Sequence, residues 1–177
     1  MTTPHTPADA PAPTAWKRNA ALFVAGQTVS LGGSMIVQYA VMWYVTFLTQ
    51  SGAAIALYAV AAFLPQGVVS VFGGVLADRL NRRILVMVSD GITAITTLVL
   101  ALLMLGGVDD LWVILLAVAI RSLGAGVQTP TVQAMIPQIV PADQLLRVNG
   151  LFQTIQAALA LFMPAAAGAV YGLFGIV

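Results

Sequence analysis

Long apolar runs alternate with short polar breaks along almost the whole chain. The runs cover about 19–48, 53–77, 84–105, 111–135 and 147–171. Each is long enough for a spanning helix, which needs about 20 mostly apolar residues. The breaks are Thr49-Gln50-Ser51-Gly52, the charged stretch 78–83, Gly106-Gly107-Val108-Asp109-Asp110, and 137–146, which holds Pro137, Pro141 and Asp143. Residues 172–177 read as the start of a sixth apolar segment. The pattern predicts an all-α polytopic membrane protein with five spanning helices plus the start of a sixth. Residues 1–15 carry no apolar period and are rich in Pro, Ala and Thr, so they read as a disordered tail before a membrane domain over 16–177. The tail lacks the basic start and short apolar core of a secretory signal.

Composition sharpens this picture. The chain has 177 residues, 60% hydrophobic and 7% charged, where a soluble domain carries about 25% charged residues. Too few charges exist to coat a water-soluble enzyme domain. The net charge is +1, so no field points to nucleic acid. Cys and Glu are absent, and the single His, His5, lies in the tail. No thiolate or histidine metal site, disulfide or catalytic triad can be assembled. No phosphate-binding Gly-x-x-x-x-Gly-Lys-Ser/Thr loop occurs. The expectations are therefore no enzyme activity, no cofactor, no metal, and transport of a secondary kind if any.

The basic residues set the orientation. Lys17 and Arg18 precede the first run, Arg79, Arg82 and Arg83 lie between the second and third, and Arg147 lies between the fourth and fifth. All fall on one side if each run spans once. The opposite breaks carry two Asp and no Lys or Arg. The positive-inside rule then places the tail and the Arg-rich break in the cytoplasm of a cell whose inner (plasma) membrane holds the chain.

Charges inside the runs are the candidate chemistry. Arg121 lies about 15 Å of helical rise from Leu111, close to the bilayer midplane. A charge there faces a cavity or a partner, and either a functional role or a structural ion pair fits. Asp90 is the one acid well inside a run. It could carry a proton, pair with Arg121, or pair with the arginines of the break below it. Reach between Asp90 and Arg121 is expected. Gln27, Ser34 and Gln38 share a face of helix 1, Arg121 and Gln128 a face of helix 4, and Asn149, Gln153 and Gln156 a face of helix 5. Such faces line an aqueous cavity or serve as polar contacts between packed helices. Tyr39, Trp43 and Tyr44 read as an interfacial aromatic belt.

In the charged break, Gly73 and Gly74 would allow close helix approach. Asp78 could accept from the free N–H groups that open helix 3, and Asn81 tolerates a left-handed turn. Taken together, Gly74, Asp78, Arg79, Arg82 and Arg83 resemble the loop between helices 2 and 3 of the major facilitator superfamily, with Asn81 where the family usually has Gly. The resemblance implies a facilitator-type N-terminal bundle, and a gate loop that contacts the other half of the transporter and favours its outward-open state. Arg121-Ser122-Leu123-Gly124-Ala125-Gly126 resembles the Arg-containing pattern on helix 4 of facilitator exporters, with Gly124 one residue early. That likeness implies substrate or proton coupling at a central cavity. Many proton-coupled exporters carry an acid on helix 1, and this helix 1 has none. Gly150, Pro164 and Gly168 match the spacing of the Gly/Pro-rich helix-5 pattern of facilitator antiporters, while Leu159, Met163 and Ala167 replace its other glycines. Segments 26–34, 42–44, 49–52 and 63–66 are similar to the macrolide-efflux branch of the superfamily.

The expected function is secondary active export of amphipathic, drug-like (macrolide-type) compounds by alternating access. The expected partners are the lipid bilayer, a small-molecule substrate and a second transporter half, with the chain read as a partial one. The competing expectation is a non-transporting membrane scaffold or an inactive remnant of a transporter.

Overall fold

The computed structural model describes residues 15–174, with the backbone alone at Ala15, Asp78 and Phe174. The tail expected over 1–14 lies outside the described residues. Five long helices follow one another: α1 (Ala15–Thr49), α2 (Gly52–Arg79), α3 (Arg82–Leu105), α4 (Leu111–Ile139) and α5 (Leu145–Phe174), with a short 3-10 turn at Ala142–Gln144. Among the described residues there is no strand. All five helices are long and apolar enough to cross a membrane.

Helix ends follow the local sequence. Asp110 caps α4, its side chain accepting from the Trp112 backbone N–H at 2.8 Å. At the end of α3 the Val108 N–H donates to the Leu103 carbonyl and the Gly107 N–H to the Met104 carbonyl. Gly107 takes φ +81°, the left-handed residue this Schellman closure needs. The charged break departs from expectation. α2 continues through Asp78 and Arg79, so Asp78 lies in its last turn, and the N-cap position of α3 is three residues further on. Asn81 caps α3, its Oδ1 accepting from the Arg83 N–H at 3.0 Å with φ −66°, extended rather than left-handed. α4 runs past Pro137 to Ile139, beyond the expected end, and holds Pro130 and Pro137 inside it. Residues 172–174 continue α5 and do not open a sixth helix, since no turn residue stops the helix before them. Residues 175–177 lie outside the described set.

The helices form two groups. α4 packs closely on α2 and α3, and α1 packs on α5, with thinner contacts between the groups. Glycine sets the first packing: a Cβ at Gly73 would lie 2.8 Å from the Gly126 carbonyl oxygen, and one at Gly126 would lie 2.8 Å from the Gln66 carbonyl oxygen. Close backbone approach of this kind drives helix association where lipid removes the hydrophobic drive. Gly74, by contrast, has nothing within 4 Å of its would-be Cβ and packs on no neighbour. Two apolar layers hold the bundle. One includes Val41, Val45, Tyr58, Ile114 and Val118, and the other Ala20, Val24, Val132, Ile136 and Phe152. Between them lies a polar layer.

Candidate functional site

The polar layer joins the two helix groups through α1. Ser30, Ser34 and Gln38 recur every four residues along one face. Each meets a different helix. Ser30 Oγ donates to Asp90 Oδ1 on α3 at 3.1 Å. The Ser34 carbonyl accepts from Arg121 Nη2 on α4 at 3.2 Å. The Gln38 carbonyl accepts from the Tyr58 hydroxyl on α2. Such interhelical contacts average only about 0.6 kcal/mol in a bilayer, because alternative partners in the protein are at hand.

Asp90 accepts a second hydrogen bond, from Gln128 Nε2 at 2.8 Å. Arg121 also donates from Nη1 to Thr97 Oγ1. Asp90 and Arg121 form no ion pair with each other, and Asp90 does not meet the arginines of the α2–α3 turn; its partners are the neutral Ser30 and Gln128. Both charges nevertheless border one open groove of about 740 Å³ between α1 and α3, together with Thr93 and Thr97. A more enclosed cavity of about 310 Å³ lies on the other side of Arg121. Ser34, Gln38, Gln66, Gln128 and Gln156 border it, with Tyr39, Tyr58 and apolar side chains such as Phe63 and Leu100. The geometry thus brings Ser34, Gln38, Arg121 and Gln128 to one cavity, with Asp90 one hydrogen bond away through Gln128.

Other expected residues fall elsewhere. Gln27 is buried, borders neither cavity, and its Oε1 has no hydrogen-bond partner. Of the α5 face, Gln156 borders the cavity while Asn149 and Gln153 are exposed. Trp43 is tied to α5. Its Nε1 donates to the Pro164 carbonyl at 3.4 Å, and its ring stacks on Phe47, which stacks on Tyr171. Gly168 leaves room for that indole: a Cβ there would lie 3.2 Å from Nε1. A Cβ at Gly150 would meet nothing within 4 Å. Sequence reasoning missed Tyr58, Thr93, Thr97, Gln66 and Ser122. The signal for two of them was present, since Asp90, Thr93 and Thr97 share a helical face.

The gate-loop residues sit at the end of the bundle that holds the other cations. Arg82 Nη1 donates to the Ala134 carbonyl on α4 at 2.7 Å, and its Nε to the Ala77 carbonyl at 2.9 Å. Arg79 and Arg83 are exposed. The side chain of Asp78 lies outside the described set. At the same end Lys17 and Arg147 border one pocket with Trp16 and Gln144. Among the described residues no cluster of metal-ligating side chains exists.

Comparison with known proteins bears on this arrangement. Residues 8–177 match the family described as transmembrane secretion effector, within the major facilitator superfamily. Macrolide efflux protein A of Streptococcus pyogenes is 32% identical over 159 residues, which is 90% of this chain and 39% of that protein. Macrolide efflux protein A of Enterococcus faecalis is 31% identical over 112 residues, 63% of this chain and 35% of that protein. An uncharacterized MFS-type transporter of Bacillus subtilis is 24% identical over 139 residues, 78% of this chain and 33% of that protein. The chain thus spans 39% of the length of the Streptococcus pyogenes protein. No solved structure matches it significantly.

Proposed function

Because the chain belongs to the transmembrane secretion effector family of the major facilitator superfamily, we propose that it forms the N-terminal half of a secondary exporter of amphipathic, drug-like compounds of the macrolide type. The observation that carries the proposal is Arg121, half-buried near the middle of α4, with no acid paired to it among the described residues and bordering the enclosed cavity. A charge at the centre of a spanning helix costs about 2.5–3.5 kcal/mol on insertion scales, and such residues persist where they serve a pathway. The macrolide efflux relatives support an export direction.

In this reading a second six-helix half supplies the facing wall. The two halves rock about the midplane site, exposing it to one side of the membrane and then the other. The polar contacts of Ser30, Ser34 and Gln38 let α1 shift against α2, α3 and α4 without opening an apolar core. Arg121, Gln38, Gln128 and Ser34 hold the substrate. Asp90 is the coupling acid: it reaches the cavity through Gln128 and the membrane side through the α1–α3 groove. Gly74, Asp78, Arg79, Arg82 and Arg83 form the gate loop against the other half. Gly150, Pro164 and Gly168 shape α5. The tail and the gate loop face the cytoplasm of the inner membrane.

The test is drug susceptibility and accumulation in a pump-deficient bacterium. The chain is expressed alone and with any continuing downstream reading frame, beside Arg121→Ala and Asp78→Asn variants. Export by the longer product alone, lost in both variants, supports the proposal. Export by the 177-residue chain alone replaces the second half with a second copy. No export by either product sinks the drug-efflux assignment.

A further inference from the structure

The charges of the polar layer are divided between two spaces, and that division bears on which substrates the cavity takes. This inference rests on the export reading above. Arg121 borders both the enclosed cavity and the α1–α3 groove, whereas Asp90 borders only the groove. The enclosed cavity is therefore lined by one cation and, among the described residues, by no acid. Asp90 is further withdrawn by two donors, Ser30 and Gln128.

The remaining polar groups are neutral amides and hydroxyls, so Arg121 sets the sign of the wall. Arg121 uses one N–H on Thr97 and one on the Ser34 carbonyl. A guanidinium carries five N–H groups, so several remain. The side-chain amides of Gln38, Gln66 and Gln156 have no protein partner among the described residues. Three hydroxyls are committed: Tyr58 donates to the Gln38 carbonyl, Thr129 to the Ala125 carbonyl, and Ser122 to the Ala62 carbonyl while accepting from the Gln66 N–H, which leaves those of Ser34, Tyr39 and Thr93 to a substrate. The rest of the wall is apolar, including Leu31, Met35, Phe63 and Val118. Fixed donors at a low-dielectric wall act strongly on any acceptor placed there, and a fixed cation repels a second one just as strongly.

We infer that this wall selects substrates by their acceptor oxygens. It takes polyoxygenated neutral or anionic amphipaths, whose carbonyl, hydroxyl or carboxylate oxygens accept from Arg121, and it rejects cations that lack such oxygens. In a macrolide-like substrate the lactone and hydroxyl face meets this half, and any basic amine points away from it. Arg121 is a specificity-determining residue in this scheme. A conservative cation at the position keeps the preference, and a neutral isostere loses it.

The experiment measures cellular accumulation of three probes in a pump-deficient bacterium expressing the protein from its complete natural reading frame. Erythronolide B is the neutral polyoxygenated probe, fluorescein the anionic one, and ethidium the cation without acceptor oxygens. The expected result is export of the first two and not of ethidium. Arg121→Gln lowers export of the first two by about tenfold, the size expected for losing a charge-assisted hydrogen bond, and Arg121→Lys retains the rank order. Export of ethidium as efficient as that of the others overturns the inference and leaves export standing. Unchanged export of the first two probes in Arg121→Gln overturns it too, since their oxygens then do not depend on Arg121, and so does a rank order lost in Arg121→Lys. If Arg121→Gln fails to accumulate in the membrane, the wild-type rank order and Arg121→Lys decide. Export of none of the probes overturns the export reading itself, and the inference with it.

Discussion

Gly126 and Asp90 show how single positions divide between packing and chemistry. Alanine at an ordinary helical glycine gains up to about 1 kcal/mol of helix propensity. At Gly126 the added carbon would lie 2.8 Å from the Gln66 backbone oxygen, which cannot swing away as a side-chain tip could. Overpacking of that kind costs about 1–3 kcal/mol. Gly67 has nothing within 4 Å. Gly126→Ala is therefore expected to lower the melting temperature of the detergent-purified protein, and Gly67→Ala to hold or raise it. Equal behaviour of the two would refute the close α2–α4 approach. At Asp90 the expectation is the reverse. Asn keeps an oxygen to accept from Ser30 and Gln128 and loses only the charge. Asp90→Asn should keep the melting temperature and abolish the dependence of export on the proton gradient, as read by accumulation with and without an uncoupler. A variant that still responds to the uncoupler like the wild type would remove Asp90 from coupling.

Helix pairs are where the sequence was most and least legible. The five spans and their order follow from apolar run length, because the bilayer allows few alternatives to a long helix. The pairing does not follow, because an all-round apolar helix gives no preferred face. α2 and α4 carry glycines that declare their contact only once Gly73 and Gly126 are seen opposed. Asp78 was misplaced because a charged stretch reads as a loop although α2 continues through it. Arg121 and Asp90 stood out since a charge in an apolar run is conspicuous. Tyr58 and Thr97 did not, as a lone hydroxyl in a membrane helix usually bonds its own backbone, as Thr28, Thr46 and Thr131 do here. Trp43 reads from sequence as part of an interfacial belt, which gives no sign that α5 supplies its partner. Trp43→Phe removes the N–H that reaches the Pro164 carbonyl and keeps most of the stacking on Phe47. At 3.4 Å that bond contributes no more than about 1 kcal/mol. The expected effect is a small drop in melting temperature. Trp43→Ala also loses the aromatic stack, worth about 0.5–1.5 kcal/mol more, and should drop further. An unchanged melting temperature in Trp43→Ala would mean that the α1–α5 pair is held elsewhere.

At the scale of the whole molecule, charge is sorted by end. Lys17 and Arg147 share one pocket, and Arg82 binds the carbonyl of Ala134 late in α4, so the cations gather where α1, α3 and α5 begin. The other end presents the α1–α2 connection and the α3–α4 connection with Asp109 and Asp110, and no Lys or Arg. A basic end is retained on the cytoplasmic side during insertion, and acids weigh little in that choice. The cysteine-free sequence makes this directly measurable, because one introduced thiol is the sole site of reaction. Gln50→Cys lies in the exposed α1–α2 connection, and Asn81→Cys in the exposed α2–α3 turn. A membrane-impermeant maleimide applied to intact cells without an outer-membrane barrier should label the first and spare the second. Disrupting the cells should expose both. The opposite labelling would turn the molecule over, place the gate-loop residues outside, and remove the outward direction of transport from the proposal. Labelling of both in intact cells would mean that the chain does not hold one orientation, and the rocking of two fixed halves would fall.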